Sequence, residues 1–216
     1  MSGRRLVLAS TSVFRRDLLA RLRLPFETAA PGFQEILPPT GPVDADAVRA
    51  VVRENAVGKA LSLREVYPDA LILASDQLGE CEGRVLAKPG TEERAREQLR
   101  FLAGKEHRLH NAVALLDTRD GRLVHELVTS RLWMRPLAEE RIRRYVELER
   151  PLHSAGSYLS ESLGIALFDS LSGDDPTAII GLPLTAVVRL LERFGVSPLD
   201  PWESIAVSLI DPEAST

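Results

Sequence analysis

The most constraining feature of this chain is a short apolar run that leads directly into hydroxyl residues and two arginines. Leu6–Ala9 has the apolar character of a buried strand, and Ser10–Ser12 forms a turn of small residues. Arg15 and Arg16 then fall in the first turn of a helix. A helix N-terminus carries partial positive charge, so two arginines are unfavourable there unless an anion binds beside the free backbone N–H groups. The segment therefore predicts a phosphate-binding strand, turn and helix start.

The charge and cysteine content restrict the function classes. The 216 residues carry a formal net charge of −4, so a phosphate ligand must meet a local basic cluster, and binding to a nucleic-acid polymer is not expected. The single cysteine, Cys81, excludes an intrachain disulfide and is typical of a reducing compartment. We see no apolar stretch of membrane-spanning length and no secretory signal. We therefore expect a cytoplasmic protein without a membrane partner.

Short apolar runs alternate with helical patterns along the chain, which predicts an α/β fold. We expect one domain over residues 1–200 and a C-terminal tail over 201–216. The predicted strands are Leu6–Ala9, Phe26–Ala30, Ala70–Ala74, Val85–Ala87, His107–Leu116, Leu123–Leu132 and Gly164–Ser170. The predicted helices run from Ser12 to Leu22, from Asp44 or Asp46 to about Glu65, from Thr91 to before Gly104, from Leu137 to Glu149, and from Pro183 to Gly195.

The second predicted helix places a lysine on its apolar face. At the angular spacing of an α-helix, Lys59 falls near the middle of that face and Asn55 falls close by. A charged side chain there must extend past the core to solvent, pair with an opposite charge, or face a cleft. Periodicity alone leaves these alternatives open.

Three further residues are candidates for chemistry. Asp76 comes directly after the predicted buried strand Ala70–Ala74, where ligands of open α/β sheets collect, and it can act as a general base, bind a divalent cation or cap the following turn. Glu35 lies in a loop rich in Pro and Gly, and Lys88 lies in a tight loop; both positions are also compatible with simple solvation. Together with the phosphate-binding segment, this set suits metal-assisted attack of water on a phosphoryl group.

Taken in order, these segments resemble the Maf family of nucleoside triphosphate pyrophosphatases. The matching pieces are Leu8–Ser12 with Arg15 and Arg16, Glu35, Lys59-Ala60, Ser75–Gln77, Lys88-Pro89, Gly104-Lys105, Ala155–Tyr158, and Gly173–Pro176 through Gly181–Leu184. The resemblance covers about Leu6 to Gly195. It implies an elongated mixed β-sheet flanked by helices, with two lobes and a central cleft, and a homodimer.

The resemblance also implies roles for individual residues. Asp76 matches the proton acceptor for the attacking water. Phe14, Gln77 and Glu161 match positions that set base preference. Ser10, Arg15, Lys59 and Lys88 match positions that line the phosphate and metal site, and Arg16 joins them from its place in the helix start. Glu35 and Asp76 are the expected ligands of Mg²⁺ or Mn²⁺.

The tripeptide Ser75-Asp76-Gln77 and the pair Ser160-Glu161 resemble the subgroup that hydrolyses 7-methyl-GTP to the monophosphate and pyrophosphate. The cationic 7-methylguanine ring would stack on Phe14, and Glu161 would accept hydrogen bonds from the guanine edge. Several residues depart from the family pattern: Gly32, Gln34, Asn111, Leu159 and Ser162. Two alternatives remain open. One is a nucleotide-binding regulator of cell division without catalysis, and the other is a pyrophosphatase for dTTP and UTP or for inosine and xanthosine triphosphates.

Overall fold

A computed structural model describes residues 5–38 and 41–200 of the chain. In these residues one mixed sheet of seven strands forms the centre, and helices pack on both of its faces. The strands are β1 (Arg5–Ala9), β2 (Glu27–Ala29), β3 (Ala70–Cys81), β4 (Arg84–Leu86), β5 (Glu106–Asp117), β6 (Leu123–Met134) and β7 (Phe168–Ser172). The α-helices are α1 (Val13–Ala20), α2 (Ala45–Leu61), α3 (Glu92–Leu102), α4 (Glu139–Glu149) and α5 (Leu184–Glu192). Short 3-10 helices span Ala155–Ser157, Leu163–Leu167 and Pro176–Ala178.

The sheet has the strand order β2-β1-β3-β5-β6-β7, with β4 paired to β3. β1 is parallel to both of its neighbours, whereas the other pairs are antiparallel. This arrangement confirms the α/β class and the mixed sheet predicted from the sequence.

The sheet is split along one edge of β3. β5 pairs with β3 continuously from Leu71 to Glu80, so it occupies one edge of that strand. On the other edge β1 pairs only as far as Leu73, and β4 begins its pairing at Gly79. Positions 74–78 therefore have an open edge between β1 and β4, and we treat this opening as the candidate cleft.

The cores follow the same division. One face of β3 carries Leu71 and Leu73 in a cluster with α1 and α5. Further along this face, Cys81 belongs to a second cluster that includes residues of α3 and α4. Between the two clusters the same face of β3 carries polar side chains, Ser75 and Gln77, because alternate residues of a strand point to the same side. On the opposite face, α2 covers the alternate residues of β1, β3 and β5.

Two predicted strands have different bounds in the structure. The strand predicted over Ala70–Ala74 continues to Cys81, since its pairing with β5 extends far beyond the apolar run. The strand predicted over Gly164–Ser170 was wrong in its first half. Leu163–Leu167 forms a 3-10 helix, and β7 begins only at Phe168. Gly164 packs directly on the backbone of Leu159, which leaves no room for a side chain.

The remaining elements lie close to their predicted positions. α2 ends at Leu61 rather than near Glu65, and the helix predicted from Leu137 begins at Glu139. The predicted tail over 201–216 lies outside the described residues. Within residues 5–38 and 41–200, no helix combines the length and the apolar character needed to cross a membrane.

Candidate active site

A buried lysine joins two carboxylates at the open edge of β3. Lys59 Nζ lies 2.7 Å from Asp76 Oδ1 and 2.6 Å from Glu35 Oε1. Lys59 is 4% exposed and Asp76 is 6% exposed, whereas more than half of the Glu35 side chain is exposed. Of the alternatives that periodicity left for Lys59, the structure selects pairing with opposite charge. The charges offset the cost of burying each partner alone.

Asn55 completes this cluster from one helical turn earlier. Its Nδ2 donates to Asp76 Oδ2 at 3.0 Å and to the Ile36 carbonyl at 3.1 Å. Its Oδ1 accepts from the Ile36 N–H at 2.8 Å. Asn55 therefore fixes the loop that carries Glu35 against the carboxylate of Asp76. The sequence placed Asn55 near Lys59 on the apolar face of α2, but it predicted no role for Asn55.

Asp76 lies inside β3 rather than after the end of that strand, which corrects the prediction. It pairs with Ala112 of β5 and lies three residues beyond Leu73, where the pairing with β1 ends. The apolar run stops at Ala74 because the strand there borders the cleft and no longer the core. The Asp76 side chain points to the face of the sheet that α2 covers.

Arg15 reaches the same cluster from the start of α1. Ser12 caps this helix by accepting the Arg15 N–H, and Arg15 Nε donates to the Gly181 carbonyl at 3.0 Å. Desolvation lowers the pKa of Arg15, while the charges of Asp76 and Glu35 act in the opposite direction. An arginine stays protonated at neutral pH despite such a shift, so the cluster retains this positive charge.

The pKa of Glu35, the carboxylate in the loop, depends on all the basic groups of the cluster. The hydrogen bond from Lys59 lowers the pKa of Glu35, partial burial opposes this, and the charges of Lys59, Lys88 and Arg15 lower it further. Lys88 is exposed and follows β4, whereas Arg15 follows β1. The two cations therefore approach the open edge of β3 from its two sides.

Gln77 points to the opposite face of the sheet from Asp76. Its Nε2 donates to the carbonyls of Ala178 at 2.9 Å and Ile179 at 3.2 Å. This segment forms a wall of a pocket of about 200 Å³ that Glu161 also lines. The segment ends at Gly181, whose carbonyl accepts from Arg15. The pocket and the charged cluster are therefore joined through residues 179–181.

The other predicted site residues lie at varying distances from this centre. Ser10 is 6% exposed and its hydroxyl accepts the Ser12 N–H at 3.1 Å, so it shapes the turn before α1. Phe14 is 47% exposed on the first turn of α1. Arg16 is not brought into the cluster, because its guanidinium pairs with Asp17 at the surface.

The described residues, with gaps at 1–4, 39–40 and 201–216, contain no group of three or more His, Cys, Asp and Glu side chains placed to hold a metal ion. Glu35 and Asp76 are two carboxylates whose oxygens converge on one cation, the ammonium of Lys59. Two carboxylates suit Mg²⁺ when substrate phosphates and water supply the remaining ligands. The pair therefore fits a metal that is shared with a phosphorylated ligand.

The fold and this site define an α/β protein in which residues 179–181 connect an Arg, Lys and carboxylate cluster to a pocket with an acidic side chain. A family model described as Maf-like protein matches residues 5–194. The chain belongs to the Maf family.

Three relatives that match this chain over most of their length are 7-methyl-GTP pyrophosphatases by name. A 7-methyl-GTP pyrophosphatase of Aromatoleum aromaticum is 47% identical over 193 residues, which cover 89% of this chain and 96% of that protein. Proteins of the same name from Syntrophotalea carbinolica and Pseudomonas aeruginosa are 44% and 43% identical, over 90% and 88% of this chain and 96% and 97% of theirs.

Proposed function

We propose that this protein hydrolyses 7-methyl-GTP to the monophosphate and pyrophosphate, and so clears a modified nucleotide. The relatives named above support the reaction and the substrate. The observation that carries the proposal is the position of Asp76, which is held by Lys59 and Asn55 in the cleft that Arg15 borders.

In the proposed reaction, Asp76 accepts a proton from a water molecule. The oxygen of that water attacks the α-phosphorus, the bond from this phosphorus to the oxygen that bridges the α and β phosphates breaks, and pyrophosphate leaves. Lys59 and Asn55 orient the carboxylate, since each donates to one of its two oxygens. Arg15 and Lys88 bind the triphosphate from the two sides of the opening.

Glu35 and Asp76 would hold Mg²⁺ or Mn²⁺. When bound, the metal neutralises charge on the triphosphate and polarises the phosphoryl group under attack. Ser10 keeps the turn before α1 in place, and Arg16 stays a predicted phosphate contact that would require its pair with Asp17 to open.

Base recognition is assigned to the pocket on the other face of the sheet. Glu161 would accept hydrogen bonds from the N1 and N2 groups of guanine, and its negative charge would complement the cationic 7-methylated ring. Gln77 holds the pocket wall at Ala178 and Ile179. Phe14, exposed on α1, would stack on the base. A pyrimidine would leave Glu161 without these donors, which disfavours dTTP and UTP.

The test is release of pyrophosphate from a panel of 7-methyl-GTP, GTP, dTTP, UTP and inosine triphosphate, with Mg²⁺ and with Mn²⁺. We expect the highest kcat/KM for 7-methyl-GTP. A preference for dTTP and UTP would reject the base assignment. Tight nucleotide binding without pyrophosphate release from any substrate would instead favour the nucleotide-binding regulator.

Asp76→Asn tests the proposed proton acceptor. Turnover should fall by about a hundredfold or more, because general-base catalysis contributes on that scale, while nucleotide binding persists. Asp169→Asn, at an exposed position on β7, is the control and should keep full turnover. Unchanged turnover in Asp76→Asn would contradict the assignment.

The homodimer stays a prediction, and sedimentation equilibrium would test it.

A further inference from the structure

One side chain of α3 connects the loop of Lys88 with the loop of Glu161. The Gln98 Nε2 donates to the Ala87 carbonyl at 3.2 Å, directly before Lys88. Its Oε1 accepts from the Ser157 hydroxyl at 2.7 Å, four residues before Glu161. The two loops carry the proposed phosphate contact and the proposed base contact, so Gln98 joins the two halves of the nucleotide site.

The loop on the base side is held in a conformation that its residues would not adopt alone. Ser157 is fully buried and has a φ of +62°, a backbone conformation that residues other than glycine rarely adopt. Such strain persists only where the surroundings hold it in place. Beyond the contact with Gln98, the Ser154 hydroxyl donates to the Tyr158 carbonyl at 2.6 Å and the Leu159 N–H donates to the Tyr145 hydroxyl at 3.0 Å.

The loop on the phosphate side is fastened to the same region. The Gly90 N–H donates to the Leu152 carbonyl at 3.0 Å, which ties the residues after Lys88 to the segment that leads into Ser154. The contact of Gln98 with Ala87 and the backbone bond of Gly90 lie on either side of Lys88 along the chain. Both contacts therefore tie the backbone around Lys88 to the elements that hold the Glu161 loop.

We propose that Gln98 is a positioning residue that holds the loop of Lys88 and the loop of Glu161 in place, each through one hydrogen bond, so that one nucleotide contacts both with its triphosphate and its base. The inference rests on the proposed function, which supplies the roles of the two loops. It extends that function by assigning the placement of both contacts to a side chain outside the cleft.

Two substitutions separate the two connections. Gln98→Glu keeps an oxygen for the Ser157 hydroxyl but replaces the amide donor, so a carboxylate would face the Ala87 carbonyl. Ser157→Ala removes the connection to the base-side loop and leaves the bond to Ala87. Arg94→Gln, at an exposed position of α3, is the control, because it makes this helix more negative by one charge, as Gln98→Glu does.

Binding of two probes is measured by calorimetry with Mg²⁺ present, inorganic triphosphate for the phosphate side and 7-methylguanosine for the base side. Since one hydrogen bond contributes about a fivefold change in an equilibrium constant, Gln98→Glu should weaken triphosphate about fivefold and 7-methylguanosine by less than about twofold. Ser157→Ala should show the reverse pattern. With 7-methyl-GTP as substrate, both variants should raise KM more than they lower kcat.

Equal loss of both probes in both variants, or no loss in either while the melting temperature is unchanged, would overturn the proposal. Absence of probe binding by the unaltered protein would overturn it as well. The probes do not require turnover. If no nucleotide releases pyrophosphate but the two opposite patterns appear, the proposed function fails and the positioning role of Gln98 stands.

Discussion

Acidification should destabilise this protein through one buried imidazole, that of His107. The residue lies on β5, is 1% exposed, and its Nε2 shares a hydrogen bond of 2.9 Å with the Tyr158 hydroxyl. Burial lowers the pKa of His107 from 6.5 to about 4. Tyr158 begins the loop that leads to Glu161, so the loss of this pair would affect the pocket as well as the core.

The direction in which stability changes with pH follows from proton uptake by the unfolded chain. Between pH 6.5 and pH 4 the unfolded chain binds a proton at His107 and the folded chain does not, so the free energy of unfolding falls as the pH falls through this window. The shift from 6.5 to about 4 corresponds to about 3 kcal/mol. For a domain of this size that is a decrease of about 6 to 12 °C in the melting temperature.

Urea unfolding at pH 7 and at pH 4.5 measures the effect in the unaltered protein and in His107→Gln. Glutamine can keep a hydrogen bond to Tyr158 but does not titrate, so the variant should lose much less stability on acidification. Burial, together with the charge of Arg49, also lowers the pKa of His110, but that residue is present in both proteins. His125→Gln, at an exposed position, controls for the loss of a histidine. Equal pH dependence of the unaltered protein and His107→Gln would refute the reasoning.

Two further predictions concern the loops that border the cleft. A Cβ at Gly58 would overlap the ring of Phe33, so Gly58→Ala should displace the loop of Glu35 and lower kcat/KM for 7-methyl-GTP about tenfold without a lower melting temperature. Gly32→Ala, in the same loop but facing open space, should leave kcat/KM unchanged, and equal effects of the two substitutions would contradict this account. Asp175 is 1% exposed and its carboxylate accepts from the backbone and hydroxyl of two threonines, so Asp175→Asn should lower the free energy of unfolding in urea by about 2 kcal/mol. Unchanged stability would show that these bonds make no net contribution.

Local patterns predicted the features that depend on neighbouring residues. The apolar periodicity placed Lys59 on the buried face of α2, and the hydroxyl of Ser12 predicted the start of α1. Both follow from helical spacing and capping, which act over one or two turns. The partners of Lys59 could not be predicted in this way, because Glu35 and Asp76 approach from a distant loop and a strand.

The C-terminal bound of β3 depends on pairing that local sequence patterns do not predict. An apolar run marks only the part of a strand that is buried in a core, so the prediction stopped at Ala74. Pairing with β5 extends the strand to Cys81 through polar residues that no hydropathy pattern reveals. The role of Gly181 was equally hidden, because its carbonyl meets Arg15 across 166 positions of the chain.

The extended conformation of Ser75-Asp76-Gln77 places the proposed general base and the proposed base pocket on opposite faces of the sheet. Successive residues of a strand point to opposite faces, so Asp76 joins Lys59 under α2 while Gln77 supports the pocket beside Glu161. One nucleotide can contact both faces only where the sheet is open. Among the described residues, positions 74–78 pair with β5 on one edge and have no strand partner on the other edge, between the ends of β1 and β4. A shift of one residue in the register of β3 would exchange the two faces and place the carboxylate in the pocket. In the proposed mechanism the long ladder with β5 therefore serves function as well as stability, since it holds the register that keeps the carboxylate of Asp76 and the pocket on opposite faces.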